Sequence, residues 1–171
     1  KTGRMLWNLD VFEMRCCSTP LVVGDLAIAS SGSGGGGNHL VAVRIPKQQG
    51  EQPEQVYRLD RGAPYVPTPA LRGDRLFIVD DKGIASCVAV KTGDVIWSKR
   101  VGGNFSASPV VIGDRLLLLN LDGKATVLNA GDDYRQLGSF SLGAPVGATP
   151  ALVDGYLVLR VGERLVCLRT K

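Results

Sequence analysis

Residues 68–97 read TPALRGDRLFIVDDKGIASCVAVKTGDVIW. Three turn signals cut this stretch into four short apolar runs. Gly73-Asp74 separates PALR from RLFIV, Asp81-Lys82-Gly83 separates that run from IASCVAV, and Thr92-Gly93 precedes DVIW. Glycine reaches positive φ without steric cost, and an Asp side chain bonds nearby backbone, so both residues favour tight turns. Runs of this length, rich in Val, Ile and Leu and bounded by such turns, predict an antiparallel meander of four strands. No window longer than ten residues keeps a helical period, and almost no helix is expected.

The unit recurs. TPLVVGDLAIAS starts at Thr19, SPVVIGDRLLLLNLDGKATVLNA at Ser108 and TPALVDGYLVLRVGERLVCLRTK at Thr149. Anchored on Pro20, Pro69, Pro109 and Pro150, the spacings are 49, 40 and 41 residues. The polar insertion PKQQGEQPEQ from Pro46 to Gln55 accounts for the longer first interval. A period of about 40 residues with four strands per unit is the pattern of propeller blades; strand solenoids have shorter repeats with fewer turns. The expected fold is therefore all-β, a β-propeller of four-stranded antiparallel blades. About four blades are expected as one array over residues 1–171: 19–67, 68–107, 108–148 and 149–171.

The phase of the chain leaves the closure open. KTGRMLW at the start matches KTGDVIW at 91–97, and CLRTK at the end matches CVAVK at 87–91, so Lys171 and Lys1 share one repeat position. Residues 1–18 could complete the last blade of a closed four-bladed ring, or a neighbour could. The chain could also be an arc of a seven- or eight-bladed ring, or two arcs could self-associate to complete one ring. A start in mid-blade without Met reads as excision from a longer protein.

Composition narrows the partners. With 44% hydrophobic residues and 22 glycines, the 171 residues suit one repeat array. No apolar run reaches 18 residues, so no transmembrane segment is expected. The net charge of +4 comes from scattered Lys and Arg, and only 6% of residues are aromatic, which argues against a nucleic-acid partner. The loop SSGSGGGGN from Ser30 to Asn38 lacks the GK[ST] ending of a phosphate-binding loop and joins two strands.

The pattern A-x-x-x-G-x-x-x-W in AVKTGDVIW, the SP/TP blade starts and the 40-residue period resemble the pyrroloquinoline-quinone-type propeller repeat. In that family the motif's final Trp docks between blades. Trp97 matches fully and Trp7 matches in KTGRMLW, while the third blade keeps Gly131 but has no Trp. The stretches GGGGNHLVAVR, RGAPYVPTP and GGNFSASPV are similar to exported propeller proteins of planctomycete-type bacteria. The family includes quinone-dependent alcohol dehydrogenases. It also includes non-enzymatic members such as the lipoprotein of the outer-membrane barrel-assembly machine. The repeat therefore implies fold before chemistry. The extracytoplasmic location, in the periplasm or cell envelope, is likewise implied by the resemblance.

Alternating strand direction sends the second-to-third loops and the blade-to-blade connections to one end of the blades, where a binding face is expected. Its candidate residues are Arg15, Arg61, Tyr65, Asp81, Asn104 and Phe105. Cys16 and Cys17 lie on a connection at the same end. In the family's dehydrogenases, adjacent cysteines form a strained disulfide that stacks on the quinone, which makes Cys16 and Cys17 the candidate cofactor contacts. The calcium ligands and catalytic Asp of those enzymes have no identifiable counterparts here. Cys87 and Cys167 hold equivalent places in their blades and are expected in the core.

Several patterns read as scaffold. DDKG at 80–83 and LDG at 121–123 are hairpin-turn sequences, and no EF-hand spacing is present. His39 is the only His, which excludes a multi-His metal site within this chain. Ser106 and Ser108 read as blade-start residues that bond backbone, with no G-x-S-x-G around them. No catalytic residue and no metal site emerge. The expected function is a non-enzymatic scaffold that presents the loop end to a protein or polysaccharide partner, with no cofactor. A fragment of a quinone-dependent dehydrogenase, with quinone and calcium, is the alternative.

Overall fold

The computed structural model describes residues 3–33, 35, 37–48 and 50–169. Fifteen strands and no helix are found among them. The first sheet holds β1 (Leu21–Val23), β2 (Leu26–Ser31), β3 (His39–Arg44) and β4 (Glu54–Leu59). The second holds β5 (Ala70–Arg72), β6 (Arg75–Val79), β7 (Ile84–Ala89) and β8 (Val95–Arg100). The third holds β9 (Val110–Ile112), β10 (Arg115–Leu119), β11 (Lys124–Asn129) and β12 (Gln136–Ser141). The fourth has three strands, β13 (Ala151–Val153), β14 (Tyr156–Val161) and β15 (Arg164–Arg169). Every sheet is an antiparallel meander in sequence order, so each is one blade.

Why these runs form blades follows from the two-residue period of a strand. In β6, Leu76 and Ile78 enter the core shared with blade 1, and Phe77 and Val79 enter the core shared with blade 3. In β10, Leu116 and Leu118 face blade 2, and Leu117 and Leu119 face blade 4. The middle strands are apolar at nearly every position because both faces are covered. Three cores join blades 1 and 2, 2 and 3, and 3 and 4; among the described residues no core joins blade 4 to blade 1. The array is an open arc.

The first strands converge towards the centre. β5 touches β9, and the blade-start residues form a relay across the arc. The backbone N–H of Thr19 donates to Thr68 Oγ1, that of Thr68 to Ser108 Oγ, and that of Ser108 to Thr149 Oγ1, each at 2.9 Å. This is the work done by the TP/SP motif.

The outer strands carry the docking aromatics. A β-bulge recurs at one place in each complete blade: between Ala42 and Val43, Cys87 and Val88, and Val127 and Leu128. Just before it, Ala42 faces Tyr57, Cys87 faces Trp97, and Val127 faces Gly138. Trp97 donates its indole N–H to Gly131 O at 2.9 Å and meets Tyr134 edge-on at 5.4 Å. In blade 1 Tyr57 takes this place, close enough to Gly93 that a Cβ there would lie 2.6 Å from the ring. Blade 3 has Gly138 at this position. Beside it, an apolar cavity of about 720 Å³, lined by Val127, Phe140, Leu157 and Leu168 among others, lies between blades 3 and 4.

Three sequence expectations are corrected or left aside. Cys167 is exposed, not core, because among the described residues no further sheet covers the outer face of β15. The N-terminal residues form no strand over 3–14 and do not pair with β15; Phe12 instead stacks on His39 at 5.7 Å, and His39 Nε2 bonds to Val11 O at 3.3 Å, over the outer face of blade 1. The shared position of Lys1 and Lys171, and Gly34 and Gly36 of the glycine-rich loop, lie outside the described residues.

Two substitutions check the docking positions. Trp97→Ala is expected to destabilise the protein by about 3–5 kcal/mol in urea unfolding, as for other large buried aromatics. Tyr57→Phe should be neutral or stabilise by about 1 kcal/mol, because the buried Tyr57 hydroxyl has no partner among the described residues and leaving a polar group unpaired is costly.

Candidate functional site

The hairpin turns and blade connections meet at one end of the arc and are tied together by backbone. Val101 N donates to Gly83 O at 2.9 Å, Phe105 N to Asp81 O at 3.0 Å, and Leu121 N to Asn104 O at 2.8 Å. The approach is so close that a Cβ on Gly83 would lie 2.6 Å from Gly103 O, and the φ of +83° there also selects glycine. Asp80 caps its own turn by accepting from Lys82 N and Ile84 N at 3.0 and 2.8 Å, and Asn120 accepts from Lys124 N at 2.8 Å in the next blade.

Asp81 does something different. Its carboxylate accepts from Tyr65 N at 2.8 Å, Val66 N at 3.2 Å and Asn38 Nδ2 at 3.3 Å. It clamps the connection between blades 1 and 2 onto the second blade. That clamp fixes the backbone from which Tyr65 projects. Arg15 lies over the Tyr65 ring, with its guanidinium carbon 5.7 Å from the centroid, within cation–π range. Arg15 is itself placed by a bridge to Gly32, whose N–H donates to Arg15 O at 2.9 Å. The Tyr65 phenol is hydrogen-bonded to Cys17, which holds its pKa above the ordinary tyrosine value.

The candidate residues therefore separate into groups. Arg15, Tyr65, Cys17 and Asp81 come together between the N-terminal connection and blades 1 and 2. Cys16 is exposed beside them. Arg61 is exposed on the connection between blades 1 and 2, and Asn104 on that between blades 2 and 3. Phe105 is a correction: it is 4% exposed and belongs to the core between blades 2 and 3, so it offers no side chain to a partner. His39 is buried, with its ring nitrogens against Gly37 O and Val11 O, a satisfied core residue.

Sequence reading missed four features of this scaffold: Tyr57 as a docking aromatic, Asp81 as a clamp, and two arginines between blades 2 and 3. Arg72 donates to Gly113 O at 3.0 Å and Ala130 O at 2.7 Å. Arg75 grips both carboxylate oxygens of Asp132 at 2.6 and 2.9 Å, which raises the arginine and lowers the aspartate pKa. The missed signal for Tyr57 was its place in the outer strand VYRLD.

Cys16 and Cys17 are free thiols. The cleft nearest that end, lined by Asn38, Asp60, Gly62, Asp80, Asp81 and Lys82 among others, holds about 150 Å³. Cofactor pockets run from about 300 Å³ upward, and both oxygens of Asp81 are already engaged by backbone. Chemically the site offers a flat aromatic, a cation and thiols on a braced loop surface, which suits contact with another surface.

The comparisons with known proteins agree with the fold. A family model described as outer membrane protein assembly factor BamB matches residues 47–171. Among solved structures, the chain is similar to BamB from Moraxella catarrhalis, with TM-score 0.75 and 17% identity, over 98% of this chain and 50% of that one. It is similar to the computationally designed Ika4 protein, with TM-score 0.74 and 11% identity, over 99% and 100% of the two chains. It also resembles a europium-containing methanol dehydrogenase, with TM-score 0.58 and 15% identity, over 74% and 24%. No curated protein matches it. The chain spans half the length of the Moraxella protein.

Two measurements check the site. Asp81→Ala, which strips the acceptor from two backbone N–H groups, should cost about 1–3 kcal/mol and speed hydrogen exchange at Tyr65 and Val66. A thiol reagent at pH 8 should label Cys16, Cys17 and Cys167 in the native protein and reach Cys87 only on unfolding, since burial pushes the Cys87 thiol up to about 11.

Proposed function

The chain belongs to the family described as outer membrane protein assembly factor BamB, and on that premise we propose that it is a non-enzymatic propeller scaffold that binds a protein partner through the loop end of blades 1 and 2. The observation that carries this is the braced surface pair: Arg15 over Tyr65, held in place by the Asp81 clamp. Tyr and Arg are enriched where a few residues dominate binding, because each offers a large, rigid contact area with a polar end. Bracing the backbone beforehand lowers the ordering cost of association. Arg61 and Asn104 extend the surface on either side.

The family's description supports an extracytoplasmic place in the cell envelope. Among the described residues no helix is long and apolar enough to cross a membrane. A protein partner is favoured over a polysaccharide by the single-aromatic, cationic character of the surface. No quinone or calcium takes part in this reading, and a titration in which either binds stoichiometrically would count against it.

Capture from envelope extracts with the full chain tests the surface. Arg15→Ala and Tyr65→Ala should each weaken retention of the partner about tenfold, the loss typical of an interface anchor, with an unchanged unfolding midpoint for Arg15→Ala. Undiminished retention by both variants would move the binding face elsewhere.

A further inference from the structure

We propose, resting on the partner-binding reading above, that the loop end of blades 1 and 2 recognises an acidic polypeptide segment through a cationic patch of Arg15, Arg61, Lys82 and Arg100.

The fold gathers these four residues. Arg61 lies on the connection between β4 and β5, beside Gly62, where a Cβ would stand 3.8 Å from Ser86 Oγ of β7. Ser86 Oγ donates to Ser98 Oγ of β8 at 2.9 Å. Arg100 follows Ser98 by two residues and so stands on the same face of that strand. Its Nη1 donates to Lys82 O at 3.0 Å, which ties the end of β8 to the turn before β7. Lys82 and Gly62 line one cleft. Arg15 joins from the N-terminal connection, over Tyr65, which shares its connection with Arg61. All four cations are exposed.

Acids and bases are handled differently at this end. Asp80 turns to the N–H groups of Lys82 and Ile84, Asp81 to those of Tyr65 and Val66 and to the Asn38 amide, and Asp60 to Arg58 at 2.7 Å. Of the carboxylates on these segments, Glu13 alone makes no such bond among the described residues. None of the four cations has a carboxylate within ion-pair distance among the described residues. At the opposite end Arg44 is matched with Asp25 and Glu54, Arg75 with Asp74 and Asp132, and Arg115 with Asp114. Carboxylates directed to the scaffold and cations directed to solvent present a positive surface that steers and orients an anionic partner. Three of the four are arginines, whose planar fork takes a carboxylate through two parallel N–H donors. The charges are spread over two connections, a turn and a strand end, which suits carboxylates strung along a chain and not one small anion. No exposed large apolar side chain lies on these segments among the described residues, so the patch has nothing to insert into a bilayer.

Fluorescence anisotropy of a labelled oligoglutamate peptide with the full 171-residue chain should show saturable binding, weakened about tenfold between about 50 and about 300 mM salt, and none with an oligoglutamine peptide of equal length. Arg61→Glu and Lys82→Glu should each weaken it about three- to tenfold, while Lys91→Glu, the same charge change at the opposite end, should alter it less than about twofold. The Arg61 and Lys82 side chains are exposed, so the unfolding midpoint should not move. Equal binding by Arg61→Glu, Lys82→Glu and Lys91→Glu would overturn the proposal, as would binding to phosphatidylglycerol vesicles without binding to the peptide. Capture from envelope extracts separates this result from the interface reading. A partner lost on Tyr65→Ala but fully retained by the Arg61→Glu/Lys82→Glu double variant removes the acidic segment and leaves the interface; full retention by Arg15→Ala, Tyr65→Ala and the double variant removes both.

Discussion

Each blade of this chain has two apolar faces and can hide neither of them alone. That constraint explains the middle strands, whose side chains are committed alternately to the blade before and the blade after, Leu76 and Ile78 one way and Phe77 and Val79 the other. A sheet with one wet face would alternate apolar with polar residues; these do not, because burial on both sides leaves charges only at the strand ends, as at Arg75 and Arg115. The polar groups that remain inside are turned into connectors. Trp97 gives its indole N–H to a carbonyl of the next blade, and the blade-start hydroxyls accept the N–H of their predecessors. Cohesion between neighbours is therefore apolar in bulk and polar at a few fixed points.

The loop end inherits its rigidity from the same connectors. A connection that was held only by its own turns would leave Tyr65 free to sample many positions. The Asp81 carboxylate takes two successive backbone N–H groups and an Asn38 amide, so the backbone beneath Tyr65 is part of the sheet edge below it. Function on a propeller is placed this way in general: the scaffold is repetitive, and individuality is confined to loops that the scaffold braces.

Blade boundaries and strand order were legible because turn chemistry repeats with the fold, and the SP/TP starts mark the innermost strand of each unit. What failed to show was position relative to neighbours. Cys87 and Cys167 occupy one repeat position, yet one is sealed by blade 3 and the other faces outward, a difference that depends on what lies beyond the sheet. Phe105 follows Asn104 in a polar connection and looks like a surface aromatic, but the connection dips inward there and carries the ring into the core. Asp81 was read as a turn residue because DDKG is a turn sequence; Asp80 fills that part, which leaves its neighbour available for a contact distant in sequence. Tyr57 was hidden because the insertion after β3 displaces it from the A-x-x-x-G-x-x-x-W spacing. Only the recurring bulge aligns it with Trp97.

Gly138 makes the three seams unequal. Between blades 2 and 3 the indole, the Arg72 carbonyl contacts and the Arg75–Asp132 pair fasten the joint, while between blades 3 and 4 an open apolar space of about 720 Å³ lies beside the residue that replaces the aromatic. In a linear stack each unit is held only by adjacent joints. The joint between blades 3 and 4 thus lacks the aromatic key of its neighbour and is held by the shared apolar core and the Ser108–Thr149 bond.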